Sequence, residues 1–299
     1  DNRRSRGLGD VYKRQGVSIL DQNLKLDVNK TILHSENLIK DGCHGVVLFG
    51  STGQSQLISL DEKFKLIEQI SKSDLKDQFI IGTGLNSLQD TISLLNLSIS
   101  FKLNKFLIMP PAYYMYEDKD VIRFYKKLLE NVNDCEIILY NFEKLSGYKF
   151  SIDCVKKLVN YFPKQIIGVK DSSYNLFEKL EIENFSILPG SETKLLKGLQ
   201  IGCSGIITAT CNVTASLSRK VYDDFFNQKE QLYNDKLCNV RLAFDKFNLI
   251  SGLHTLLSEK DNSFKNMLPP LDLLNDINKK KLLDDLKKLD FNYEFLKVA

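Results

Sequence analysis

EIILYNFEKLSGYKFSIDCVKKLVNYFPKQIIGVKDSS (136–173) holds two short apolar runs, EIILYN (136–141) and QIIGVKD (165–171), separated by a segment of helical period at 152–161. Runs apolar at nearly every position suit strands covered on both faces, and such strands alternating with helices read as βαβ units with parallel pairing. The pattern repeats in both directions. Toward the N-terminus lie GVVLFG (45–50), FIIGTG (79–84) and KFLIMP (105–110), and toward the C-terminus FSILPGS (185–191) and SGIITAT (204–210). Helical periods fall between most of them, at 61–73, 88–103, 119–131 and 192–201. With a first strand expected near 17–20, before a helix at 28–41, eight strands occupy roughly 200 residues, the size of a (β/α)8 TIM barrel. An open doubly wound sheet is the other arrangement, but it favours a GxGxxG turn after an early strand, and GSTGQS (50–55) has a different pattern. The domain division expected is a barrel over 16–213 and a C-terminal helical extension over 214–299. In that extension NKKKLLDDLKKLD (278–290) reads as a solvated amphipathic helix.

The first fifteen residues, DNRRSRGLGDVYKRQ, break this composition. They carry four of the seven arginines, and their excess of basic over acidic side chains accounts for the entire net charge of +3. The stretch lacks the apolar core of a signal peptide and resembles translated adaptor sequence more than a targeting segment. It is expected to add nothing to substrate chemistry. If the first strand is shortened, Val11 and Tyr12 are expected to fill its slot. A basic arm for nucleic acid or anionic lipid is the rival reading, but no aromatic interleaving or helical face supports it.

Composition narrows the function classes. At 43% hydrophobic and 26% charged, 299 residues suit one large core or two smaller ones. Six scattered cysteines without a CxxC pair point away from a zinc site and from a secreted disulfide framework, and so toward a reducing, cytoplasmic location. The three histidines form no HxH or HExxH pair, so no metal is expected. No apolar run approaches the ~20 residues of a membrane span, and neither a membrane nor a nucleic-acid partner is expected.

In a barrel the chemistry gathers where strands end. Lys170 follows Ile166, Ile167, Gly168 and Val169 at the end of one strand. A lysine desolvated there loses basicity, and a neutral amine attacks a ketone to give an imine. The alternative is a strand-end lysine that reaches solvent or pairs with Asp171. Tyr140 precedes Lys170 by thirty residues, one βα unit, which puts the two on neighbouring strands about 4.8 Å apart. Its phenol can pass protons to and from a carbinolamine, or it is a core aromatic with a backbone partner. The turn Gly50-Ser51-Thr52-Gly53 suits a carboxylate, or is a glycine-rich turn capping a helix.

Together these residues resemble the Schiff-base lyase and aldolase family that contains dihydrodipicolinate synthase, N-acetylneuraminate lyase and 2-keto-3-deoxygluconate aldolase. The matching stretches are GVVLFGSTGQSQLISLDEK (45–63), LIMPPAYY (107–114), LYNFEKLSGY (139–148), IIGVKDSS (166–173), LPGSETKLLKGLQIGCSGIITATCNV (188–213) and NMLPPL (266–271). The resemblance implies that Lys170 forms the imine, Tyr140 relays protons and Ser51-Thr52 holds the carboxylate of a 2-oxo acid such as pyruvate, without metal or organic cofactor. It implies that Tyr114, or Tyr113 if the match slips by one, reaches into a partner subunit's site in a homo-oligomer, a dimer or tetramer. Leu145 stands where dihydrodipicolinate synthases carry a carboxylate-binding arginine. The resemblance is therefore closer to sugar-acid lyases and aldolases, with Ser172, Glu192 and Thr208 as hydrogen-bonding groups for the aldehyde portion and Gly190 and Ile207 as further substrate-binding positions. A 4-hydroxy-tetrahydrodipicolinate synthase and a non-catalytic 2-oxo-acid-binding barrel are the alternatives. A phosphate-handling isomerase fits less well, because Gly190, Gly202 and Gly205 are too widely spaced for the usual phosphate loops.

Overall fold

A computed structural model describes residues 13–292. Its strands are β1 (Lys13–Gln15), β2 (Gly45–Leu48), β3 (Phe79–Gly82), β4 (Lys105–Ile108), β5 (Glu136–Asn141), β6 (Ile166–Asp171), β7 (Ser186–Pro189) and β8 (Ile207–Thr208). They form one parallel sheet in the order β7-β6-β5-β4-β3-β2-β1-β8. Among the described residues no ladder joins β7 to β8, but the Ser204 N–H donates to the Ile187 carbonyl across that seam at 3.1 Å. The helices are α1 (Val28–Lys40), α2 (Leu60–Ile70), α3 (Leu88–Ser100), α4 (Asp118–Leu129), α5 (Glu143–Ser146), α6 (Ile152–Tyr161), α7 (Leu195–Gln200), α8 (Cys211–Phe226), α9 (Asn234–Asp245), α10 (Leu249–Ser258) and α11 (Asp276–Lys288). Successive helices pack on one another around the sheet, α1 on α2, α2 on α3, α3 on α4, and α4 on α6.

Alternation along the strands divides the core and aims the site. Val47, Ile80, Leu107, Ile138, Leu188 and Ile207 meet on one face. Their neighbours Val46, Leu48, Ile81, Phe106, Ile108, Ile137, Leu139 and Val169 pack against the helices on the other. Both faces are dry, which is why the strands read as continuous apolar runs. Tyr140 lies two residues after Ile138 and therefore shares the inner face. The helices between strands start where sequence signals put them. Ser59 and Glu62 form a capping box at the start of α2, and Ser87 and Ser151 cap α3 and α6.

The first strand differs from expectation. It runs over Lys13–Gln15, inside the segment set aside as a leader, rather than over 17–20, and its backbone pairs with both β2 and β8. Residues 17–20 are buried, but side chains claim their polar groups: the Val17 N–H donates to Asn212 Oδ1 at 3.1 Å, the Ile19 N–H to Thr31 Oγ1 at 3.0 Å, and Ser18 Oγ to the Gly53 carbonyl at 2.7 Å. With N–H groups committed this way, the stretch runs beside the sheet without joining a ladder. Val11 and Tyr12, expected to fill the slot, lie outside the described residues. The division expected after residue 213 also falls inside an element, since α8 spans it with a local kink at Thr214. Helices α8–α11 do follow the last strand, and a cluster that includes Val213, Val240, Phe244, Leu253, Leu256 and Leu282 packs against Val17 and Ile19. No helix among the described residues is long and apolar enough to cross a membrane.

Candidate active site

Strands β5 and β6 run in register, with Ile138 opposite Gly168 and Tyr140 opposite Lys170. The two side chains thus project together from the inner face at the C-terminal ends of the strands, and Lys170 Nζ lies 3.9 Å from the centre of the Tyr140 ring. Lys170 is 2% exposed. Burial, reinforced by the nearby Arg241 charge, holds its amine well below the usual lysine range. The solvent and Asp171 alternatives both fail. Asp171 belongs to the opposite face of β6, and its carboxylate already accepts from Asn141 Nδ2 and from the backbone N–H groups of Tyr174, Leu176 and Phe177, each at 2.8–2.9 Å. That arrangement shapes the loop after β6.

Tyr140 is also buried, and burial raises its phenol pKa, partly offset by hydrogen bonding with Ser51, Gln15 and Ser172. Its hydroxyl lies 3.0 Å from Ser51 Oγ. Ser51 and Thr52 form a short 3-10 turn after β2, and both hydroxyls donate to Gln15 Oε1, at 3.2 and 3.0 Å. A cavity of about 610 Å³ opens over these groups, lined also by Leu145, Ser172, Gly190, Ala209, Arg241, Asp245 and Asn248. A smaller, mainly apolar cavity of about 260 Å³ adjoins it and shares Ser51, Tyr140 and Leu145. Gly190 is required by close approach: a Cβ there would come within 2.1 Å of Ser172 Oγ.

Of the residues expected at the site, Lys170, Tyr140, Ser51, Thr52, Leu145, Ser172 and Gly190 converge on the cavity. Glu192, Ile207 and Thr208 do not line it. Ile207 belongs to the packed inner core. Glu192 is fully buried beneath the cavity, where its carboxylate accepts from Arg241 Nη1 at 2.9 Å, Thr208 Oγ1 at 2.7 Å and Thr210 Oγ1 at 3.3 Å, while Cys211 Sγ approaches its other oxygen at 3.3 Å. A carboxylate consumed in this way holds Arg241 rather than a substrate hydroxyl. Tyr113 and Tyr114 also stand apart, 87% and 75% exposed on the loop after β4 and stacked edge to face, with Met115 beside them at 90%.

Several residues of this site escaped the sequence reading, Gln15 and Arg241 foremost. Gln15 belongs to the segment set aside as foreign, yet its side chain is 2% exposed between Ser51, Thr52 and Tyr140. The expectation that residues 1–15 contribute nothing to the site is thus corrected at that residue. Arg241 comes from α9, where it bonds Asp245 Oδ1 through Nε at 2.8 Å. Burial opposes its charge, but Glu192 and Asp245 outweigh burial and hold its proton more firmly than usual. One signal was available: only three arginines follow residue 15, and Arg241 lies one helical turn before an aspartate. Removing one partner of such a buried pair leaves the other uncompensated. Arg241→Met is therefore expected to destabilise the fold by about 3–5 kcal/mol, read by urea unfolding, with part of the loss restored in Glu192→Gln/Arg241→Met. A loss below about 1 kcal/mol would mean that water shields the pair.

Among the described residues no cluster of three metal-binding side chains occurs. The sequence profile of the Dihydrodipicolinate synthetase family matches residues 17–289, and the chain belongs to that family. It is 26% identical over 212 residues to a 4-hydroxy-tetrahydrodipicolinate synthase of Methanoculleus marisnigri, covering 69% of this chain and 72% of that one. It is 23% identical over 265 residues to a 2-dehydro-3-deoxy-D-gluconate/2-dehydro-3-deoxy-phosphogluconate aldolase of Picrophilus torridus, covering 85% and 97%. Among solved structures, the prophage protein YagE of E. coli K12, described as a member of the dihydrodipicolinic acid synthase family in complex with pyruvate, superposes with a TM-score of 0.86 at 21% identity, over 96% of this chain and all of that one. The family's members include lyases and aldolases, and its solved folds are TIM barrels.

Proposed function

We propose that the protein is a class I aldolase or lyase that makes or breaks a carbon–carbon bond to pyruvate through an imine on Lys170. The observation that carries this reading is the desolvated Lys170 amine, in register with Tyr140 at one end of the parallel sheet. The neutral amine adds to the keto carbon of a 2-oxo acid, and the carbinolamine loses water to give a protonated imine. In the cleavage direction the hydroxyl beyond the scissile bond loses its proton, the bond breaks to release an aldehyde, and its electron pair moves into the imine as an enamine. Protonation of the enamine and hydrolysis return pyruvate and the free amine. The sequence draws on no metal or organic cofactor. Burial keeps the Tyr140 phenol protonated, so it works as a relay: it takes the proton of the hydroxyl beyond the scissile bond as it passes its own to Ser51 Oγ, which in the same step yields its proton to the carboxylate of the bound 2-oxo acid, and the reverse transfer protonates the enamine.

For the aldehyde, the reading is a neutral, polyhydroxylated chain, as in a 2-keto-3-deoxy sugar acid or a sialic acid. Leu145 offers no donor at the cavity wall, and the Arg241 guanidinium is already matched by Glu192 and Asp245. A second carboxylate would therefore depend on Lys144, the other cation that lines the cavity, in place of a bidentate guanidinium. Asp245, Asn248 and Ser172 supply hydrogen-bonding groups instead. Retro-aldol cleavage of such a sugar acid is expected to exceed condensation of pyruvate with aspartate semialdehyde in kcat/KM. Leu145→Arg is expected to shift that ratio toward the semialdehyde by about ten- to a hundredfold. A strong preference of the unmodified protein for the semialdehyde would favour the 4-hydroxy-tetrahydrodipicolinate synthase reading.

The same proposal covers the assembly and the setting. The fold is read as a full (β/α)8 barrel carrying its C-terminal helices, in a cytoplasmic homo-oligomer. Six scattered cysteines without a CxxC pair agree with a reducing location, and the exposed Tyr113, Tyr114 and Met115 offer an apolar surface that a second copy can cover.

A further inference from the structure

The turn that the family resemblance gives to the substrate carboxylate, Ser51-Thr52, is already filled by the chain itself. Gln15 Oε1 accepts from both hydroxyls of that turn, Ser51 Oγ at 3.2 Å and Thr52 Oγ1 at 3.0 Å. Ser51 Oγ has a single proton, and its other neighbour is the Tyr140 hydroxyl at 3.0 Å. The amide's Nε2 is buried and lacks a partner in hydrogen-bond geometry among the described residues, although the side chain lies close enough to influence the Tyr140 phenol. A buried amide with one satisfied oxygen and one orphaned nitrogen is a costly arrangement. A planar amide also matches the size and shape of a carboxylate. The carboxylate of a 2-oxo acid is joined to the carbon that Lys170 attacks, so it must come to rest in this cavity, next to Tyr140.

We propose that the side-chain amide of Gln15 occupies the carboxylate position of the site and must turn aside when a 2-oxo acid binds, so that Gln15 sets the affinity for the keto acid. This rests on the reading of Ser51-Thr52 as the carboxylate turn. Gln15 is a specificity-determining residue in this scheme. Its oxygen competes with the incoming carboxylate for two hydroxyl donors, and on leaving its nitrogen gives up only its approach to the Tyr140 phenol. Removing the side chain spares the strand that carries it, since β1 is anchored through the Gln15 backbone carbonyl, which accepts from Asn212 Nδ2 at 2.7 Å.

The test is a charge and size series at position 15, read by borohydride trapping and by calorimetry with lactate, a carboxylate that cannot form an imine. Gln15→Ala is expected to lower the pyruvate concentration for half-maximal trapping about tenfold, and to tighten lactate binding by a similar factor. Gln15→Glu is expected to move both about tenfold or more the other way, because two carboxylates would share one desolvated position. Trapping of acetaldehyde, which has no carboxylate to compete with the Gln15 amide, should gain far less from Gln15→Ala than trapping of pyruvate does. Pyruvate and lactate binding that is unchanged or weakened in Gln15→Ala overturns the proposal, and weakening would mean that Nε2 donates to the substrate. If no carbonyl compound is trapped in any variant while lactate still tightens, the imine reading fails and the role of Gln15 stands.

Discussion

Borohydride reduction in the presence of pyruvate is expected to label one residue, Lys170, and Lys170→Ala to abolish both labelling and turnover. An ordinary lysine, with its pKa near 10.5, is almost wholly protonated at neutral pH and reacts slowly with a ketone. Two forces lower that value at Lys170: removal of the ammonium from water, and the positive charge of Arg241 behind it. Only the neutral amine adds to the carbonyl, so the pH profile of labelling should rise with a midpoint well below 10.5. The chain contains its own control. Lys63 is also fully buried and its pKa is lowered to about 8, yet its Nζ donates to the Thr83 carbonyl at 2.7 Å and the residue lines neither of the two cavities over the strand ends. Low basicity without access to the cavity should leave it unlabelled. Intact mass and peptide mapping decide the matter, and a label on Lys63, or full activity in Lys170→Ala, would remove the imine mechanism.

Tyr140→Phe should separate imine formation from bond cleavage. Phenylalanine keeps the ring beneath Lys170 Nζ and loses only the hydroxyl that contacts Ser51 Oγ. Trapping is expected to persist. The carbon–carbon step is expected to slow by ~10²–10⁴, the usual contribution of a positioned acid–base group. Single-turnover measurements of aldehyde release give the comparison, and an unchanged rate would assign the proton transfers elsewhere.

The sequence made the sheet legible because both of its faces are dry. Ile137 and Ile138 point to opposite sides and both meet apolar partners, so β5 reads as an unbroken apolar run. The pairing of Tyr140 with Lys170 was legible for a related reason: a βα repeat of regular length brings equivalent positions of adjacent strands together. β1 was not legible, since Lys13, Arg14 and Gln15 have no apolar pattern, and their pairing is made by backbone groups that carry no side-chain signature. Glu192 was expected to face substrate because it follows a strand end. Its burial could not be anticipated, because the cation that claims it is Arg241 on α9, which a local pattern cannot connect to β7. The departures share a cause: each depends on contacts between distant parts of the chain, and periodicity reports only on near neighbours.

Asn212 shows how far such contacts reach. From the start of α8 it donates to the Gln15 and Ala209 carbonyls, both at 2.7 Å, and its oxygen accepts from the Val17 N–H at 3.1 Å and lies 3.1 Å from His34 Nε2. Further on, Asn266 Nδ2 donates to the Leu20 carbonyl at 3.0 Å, and the Leu268 N–H to Gln54 Oε1 at 2.8 Å. β1 and the segment after it are therefore fastened by residues 195 to 246 positions further along the chain. During synthesis β1 through β7 can assemble by adding one unit to the next, but the pairing of β1 with β8 and its contact with Asn212 must wait for the later chain, with loop closure preceding those contacts. Until then the flank of β1 that meets β8 is an unpaired edge, open to another nascent chain. Order of emergence, as much as final stability, thus governs how much of this protein reaches a state in which Lys170 and the Ser51-Thr52 turn share one cavity.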